Sequence, residues 1–558
     1  MTTPQADRPP LVTTLIQSFF IIPFWEARNL AKMVRSGNLN LRRRLVVFSG
    51  ALLLAVAGWW ALGILFPGAC CQQSTVLFPN EPVARLIWPR LMPTIGMLAL
   101  IAIGGVVFTA LLLGLSALSR RLASFGFAGK LLDSLRWLAT SILATPLGHI
   151  AVLATLLLGI RFNLLPVPVG RSAAGLIVPG LSVALLPALI AARYVERALP
   201  DPLSHPGHTI KLAAASFYRQ ASWLVGGLAV AETAFGVDGL GKLLVGALRV
   251  RDKSLILTLL LLFMVATALC RLHVIHLETD GSISATKQLP PSSSAHDFHH
   301  WFKWIAFTLV LAAPLAFAYS GRAALLPDST TVYATPSALH PWGTDGAGRD
   351  ILMLARLAIR QGWLLALAGG LVSIGLGGLW AIVIAWLRNK QHQALADGLR
   401  AISEAVVLLA PAPLMVWLLM YIYEAPPQPA IALGATVGIV ITPRMVWGIN
   451  SDKLVTLRPV DWKRQLGYQL AAGFAVLQFS LMAMLMIGQS TSNWATPGGL
   501  LAAYQDIIGG ANLLEGGPYL RLTLGLALPG VVLAWGWYLL ADALAEPVHA
   551  EEMADLLG

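Results

Sequence analysis

The residues whose types and spacing suit chemistry are few. From His340 to Leu352 the chain reads HPWGTDGAGRDIL, which sets Asp345, Arg349 and Asp350 among Gly343, Gly346 and Gly348. Two carboxylates and a five-donor guanidinium among glycines can bond to one another and to backbone groups that tight turns leave free. That pattern predicts a structural latch, with a docking surface for another protein as the functional alternative. A further acid, Glu232, closes an apolar run and is followed by Gly239, Gly241, Arg251 and Asp252. An ionisable group at that position either faces a cavity or partner or bonds to the Gly-rich turn behind it, and the second reading is preferred. His273, His276, His296, His299 and His300 are the one histidine group that could ligate a metal, but they lie in or beside a polar stretch, so no metal site is expected. Cys70, Cys71 and Cys270 form neither a disulfide framework nor a zinc pattern. No GxxxxGK[ST] loop occurs, so the chain is expected to be no enzyme and to bind no cofactor directly.

The elements that must position these residues follow from composition. Of 558 residues, 57% are hydrophobic and only 12% charged, against about 25% charged in a soluble domain. Mean hydropathy is +0.71. These values exclude a soluble enzyme and predict an all-α polytopic membrane protein, for which 51 Gly and 34 Pro are ordinary. A spanning helix needs about 20 apolar residues. Twelve stretches qualify: 45–66, 93–118, 136–160, 173–194, 213–235, 254–275, 303–320, 361–387, 400–422, 428–447, 465–489 and 519–543. The net charge of +12 comes from basic residues that flank these runs rather than from a soluble basic domain, so it indicates topology and not nucleic acid. With both termini in the cytoplasm, about twice as many Lys and Arg fall on the inner side as on the outer. Residues 1–44 do not span. Phe19, Phe20, Phe24 and Trp25 followed by Arg28, Lys32 and Arg35 suit a helix on the inner membrane surface or an elbow buried against the bundle.

The chain reads as duplicated. Residues 276–302 are polar and rich in Ser and Pro, and on either side of them the same features recur in order. Asp133 and Arg136 open one span and Asp397 and Arg400 its counterpart, each pair three residues apart at a helix end. The expected organisation is an N-terminal segment 1–44, a first half 45–275, a cytoplasmic linker 276–302, a second half 303–547 and a tail 548–558.

On these residues the chain resembles the membrane subunits of dipeptide, oligopeptide and nickel type ABC importers, which ordinarily pair two related chains. His340, Pro341, Gly343, Thr344, Asp345, Gly348, Arg349 and Asp350 are similar to the HP-x-GTD-x-x-GRD-x-L signature of the second permease. Glu232, Gly239, Gly241, Arg251 and Asp252 resemble a stretch of the first, and Leu91 to Ile95 and Ala541 to Pro547 are weaker likenesses. The resemblance implies two fused permease subunits of about six parallel spans each in a bacterial inner membrane, transporting short peptides or nickel and metallophore complexes. It also implies a partner ATPase that supplies ATP hydrolysis, a periplasmic substrate-binding protein, and contact with membrane lipid. One departure stands out. The cytoplasmic helix by which such permeases engage their ATPase is not evident after Arg193, where Pro200, Pro202 and Pro206 follow, nor after Arg444. Residues 450–464, with Asp461, Lys463 and Arg464, are the better candidate contact. The alternative is an ATP-independent carrier or a membrane scaffold derived from a permease.

Overall fold

A computed structural model of the chain describes residues 39–65, 77–79, 81–122, 173–199, 206–250, 252–279, 330–345, 347–360 and 392–409, together with a few isolated positions. Among them the structure is helical, with no strand and one isolated bridge pairing Thr344 with Asp350. The helices are α1 (Leu39–Leu65), α2 (Val83–Leu122), α3 (Ile177–Ala198, entered through a 3-10 turn at Ala173–Leu176), α4 (Pro206–Arg219), α5 (Ala221–Ala234), α6 (Leu240–Val250), α7 (Lys253–Thr279) and α8 (Gln393–Leu409). A further helical run covers residues 351–360.

Four of these helices, α1, α2, α3 and α7, are long and apolar enough to cross a membrane. They coincide with the expected segments 45–66, 93–118, 173–194 and 254–275. Two boundaries differ from the expectation. Helix α2 starts at Val83 and carries Pro89 and Pro93 inside it, so the prolines do not delay its start. The stretch 213–235, expected as one span, is two helices, α4 and α5, divided at Gln220, whose ψ is 33° rather than the helical value near −42°. Neither proline nor glycine marks that break; its sign in the sequence is the polar pair Arg219 and Gln220, which interrupts the apolar run.

Close helix contact depends on small residues, because in an apolar surrounding packing rather than water exclusion draws helices together. A Cβ on Gly180 of α3 would lie 2.6 Å from Leu100 Cβ, and one on Gly105 of α2 would lie 2.7 Å from the Phe217 ring. Ala51 and Ala55 of α1, Met264 of α7, and Ala401, Ala405 and Leu408 of α8 form one buried cluster. Gly50 faces Ala401 there. The Trp59 indole N–H donates to the Leu257 carbonyl at 2.8 Å and so ties α1 to α7.

Candidate functional site

Of the motif residues 232–252 that the structure describes, Gly239, Gly241 and Asp252 stand at helix starts, and Glu232 lies in the last turn of α5 and reaches the start of α6. A helix leaves its first backbone N–H groups without intrahelical partners, and α6 is too short, at about 16 Å, to hide its N-terminus in a headgroup layer while spanning. Gly239 precedes α6. The Leu240 N–H donates to Thr94 Oγ1 at 2.9 Å, the Gly241 N–H to Glu232 Oε2 at 2.5 Å and the Lys242 N–H to the same oxygen at 3.2 Å. Thr94 Oγ1 in turn lies 2.7 Å from Glu232 Oε1. Glu232 is fully buried, and both its oxygens are engaged. The two glycines are required by space: a Cβ at Gly239 would fall 2.3 Å from the Glu232 carboxyl carbon, and one at Gly241 would fall 2.3 Å from Ala229 Cα.

Asp252 does the same for α7. Fully buried, it accepts the Leu255 N–H on Oδ1 at 3.3 Å and the Leu77 N–H on Oδ2 at 3.0 Å. One carboxylate therefore caps a membrane-length helix and holds the segment that leads into α2. Close by, Arg90 reaches Asp238 at 3.4 Å, an exposed pair of small energetic weight.

The 340–350 motif folds as one hydrogen-bonded unit. Asp345 is fully buried. Its Oδ1 accepts the backbone N–H groups of Ala347 at 2.9 Å and Arg349 at 2.7 Å, while Oδ2 accepts from Arg349 Nε at 2.8 Å. Its backbone N–H donates to the Arg349 carbonyl at 3.0 Å. Gly343, at φ +80°, turns the chain so tightly that a Cβ there would sit 2.5 Å from the Ala334 carbonyl. Thr344 follows: its hydroxyl donates to the Thr331 carbonyl and accepts the Ala334 N–H at 2.8 Å. Asp350 begins the helical run 351–360 by accepting the Met353 N–H at 3.0 Å, and its other oxygen lies 3.0 Å from His340 Nδ1. His340 is itself held by Ser337, whose Oγ accepts its N–H at 3.1 Å. Pro341 and Trp342 are exposed on the same loop.

The remaining residues are placed less fully. Asp397 and Arg400 both lie on α8, Asp397 half-buried, and nothing is described of the Arg400 side chain. Asp133, Arg136, Arg251, Asp461, Lys463 and Arg464 lie outside the described residues, as do the linker 276–302 beyond Thr279 and His296, His299 and His300. His273 is fully buried, packed edge-on against Tyr218 at 5.2 Å and stacked on His276 at 6.4 Å. Sequence reasoning missed Thr94 as a partner of Glu232 and missed α6 altogether. The signal for α6 was present in the periodic Leu240, Leu243, Leu244, Ala247 and Leu248 after a glycine pair, but the short run falls below the length at which hydropathy alone speaks.

Compared with protein-family models and with curated proteins, the chain finds no match.

Proposed function

We propose that this chain is the permease component of an ABC importer for short peptides or related small solutes, with two parallel six-helix halves fused and twelve spans in a bacterial inner membrane. An ATPase supplied by another chain would drive it, and a periplasmic binding protein would deliver substrate. The supporting observation is the 340–350 unit, in which every polar residue of the signature-like sequence is engaged within a few residues of the next helix. Such a self-bonded loop suits a rigid outer-face element at the mouth of a translocation path. The spanning helices α1, α2, α3 and α7 agree with the setting.

A second reading is favoured by one observation. Only residues 199–205 separate α3 from α4, which leaves α4, buried at Thr209 and from Leu212 to Tyr218, as the described helix there that would have to meet an ATPase. An ATP-independent carrier or a membrane scaffold built from a permease accommodates that. Co-purification of the full chain with candidate ATPases separates the two. The importer reading expects a stable ATPase contact centred on 450–464, weakened by charge reversal at Lys463 and Arg464 and indifferent to changes at Asp201 or His205. Transport that persists without any ATPase partner defeats it in favour of the carrier.

A further inference from the structure

Glu232 is fully buried, and its carboxyl bonds to neutral groups: the Thr94 hydroxyl and the backbone N–H groups of Gly241 and Lys242. Full burial without a bonded cation favours the un-ionised acid, while two N–H groups at a helix start favour the carboxylate. Thr94 lets the network serve both forms, because a hydroxyl donates and accepts. Its Oγ1 accepts the Leu240 N–H at 2.9 Å and lies 2.7 Å from Glu232 Oε1 and 3.1 Å from the Arg90 carbonyl. When the carboxylate is ionised, the Thr94 hydroxyl donates to Oε1. When Oε1 carries a proton, that O–H donates to Thr94 Oγ1, and the Thr94 hydroxyl hydrogen turns to the Arg90 carbonyl. Oε2 keeps the Gly241 and Lys242 N–H groups throughout, so neither form leaves a group of this network unpaired. Asp345 offers the contrast: its bonds from the Ala347 and Arg349 N–H groups and from Arg349 Nε come from groups that can only donate, one of them cationic.

We propose that Glu232 and Thr94 form a proton-binding site, which takes a hydrogen ion from water onto Glu232 Oε1 and returns it while only the Thr94 hydroxyl hydrogen changes direction. Uptake converts a carboxylate and one hydrogen ion into a carboxylic acid and needs no other reactant. Around the pair, Arg90 on α2 meets Asp238 at 3.4 Å, and Lys242 Nζ on α6 donates to the Gly236 carbonyl at 3.3 Å. Asp252 and Lys253 stand at the head of α7, α3 carries Arg193 and Glu196 in its last two turns, and α4 ends at Arg219, at the opposite end of α5 from Glu232. The site stands whether or not an ATPase drives the chain. Its use as a coupling-ion site alone leans on the carrier reading above.

The test is infrared difference spectroscopy of the full chain in lipid nanodiscs, titrated upward from about pH 6, where exposed carboxyl groups, which titrate near pH 4, are already ionised. The carbonyl stretch of an un-ionised carboxylic acid, resolved from the amide bands, reports the bound proton. Wild type is expected to lose that band as pH rises, and Glu232→Gln to lack it at every pH. Asp238→Asn removes a neighbouring negative charge from an exposed position and should move the midpoint to lower pH, a shift that a carboxylate serving only as a helix cap does not show. Should Glu232→Gln fail to accumulate, the wild-type chain with 13C in its glutamate side chains assigns the band to a glutamate by isotope shift, and the Asp238→Asn midpoint places that glutamate beside Asp238. The proposal is overturned by the absence of an acid band, by a band that does not titrate, by one that survives in Glu232→Gln or belongs to no glutamate, or by an Asp238→Asn midpoint that does not fall. Co-purification of an ATPase is read independently of these spectra, so the two ideas fail separately.

Discussion

The Glu232 carboxylate lies 2.5 Å from the backbone nitrogen of Gly241, so the first-half acid is spent on closing the start of α6 rather than presented to a cavity. The same economy recurs at Asp252 and Asp350, each accepting backbone N–H groups from the first turn of the helix that follows it. Acids suit that position because the unpaired N–H groups and the helix dipole both favour negative charge there.

The glycine pair should therefore tolerate no side chain. Gly241→Ala places a methyl group 2.3 Å from the Ala229 backbone, and overpacking of this kind costs about 1–3 kcal/mol. Folded protein in the membrane, measured by fluorescence-detected size exclusion, should fall sharply for Gly241→Ala and Gly239→Ala. Gly398→Ala, with nothing within 4 Å of its added methyl group, should match wild type.

Glu232 should discriminate between substitutions by hydrogen bonding rather than by charge. In Glu232→Gln the amide oxygen can still accept from Gly241 and Lys242, while its NH2 faces Thr94, whose hydroxyl can turn to the Arg90 carbonyl 3.1 Å away. Near-normal folded yield is expected. Glu232→Ala leaves those buried N–H groups unmet at about 1–3 kcal/mol and should lower both yield and Tm. Equal, severe loss of transport in a well-folded Glu232→Gln chain would instead place the carboxylate in the transport path.

Arg349→Ala should reduce the amount of folded protein without altering substrate preference. Its partner Asp345 keeps two backbone donors and the Arg349 side chain stays 31% exposed, so the cost is nearer to one charged hydrogen bond, about 1.5–3 kcal/mol, than to a fully buried ion pair. Quantitative blotting of membranes provides the measurement. Normal levels combined with lost association of a binding protein would identify the loop as a docking surface.

Topology is open to direct measurement. Reporter fusions after Gly281 and Asn450 should report cytoplasm, and one after Pro341 should report periplasm, as the excess of basic residues on the inner side predicts. A periplasmic signal from the 281 position would overturn both the orientation and the duplicated halves.

What the sequence determined by itself was local. Four membrane-length helices were legible because about 20 apolar residues in a row are sufficient to make one, and α1, α2, α3 and α7 lie where hydropathy set them. The 340–350 latch was legible because Asp345 and Arg349 stand four residues apart among glycines, close enough to bond whatever surrounds them. The bond between Thr94 and Glu232 spans 138 residues of sequence, and the packing of α8 against α1 joins opposite ends of the described chain. Hydropathy cannot encode such pairings, since an apolar residue is equally content against lipid or against another helix. Small residues at the contacts and the need to satisfy every buried backbone group select among the possible packings, and both act only once the helices have come together. The break at Gln220 stands between the two classes: the polar pair Arg219 and Gln220 marks it in the sequence, and it arises where the buried amide finds the Pro187 and Ser216 carbonyls.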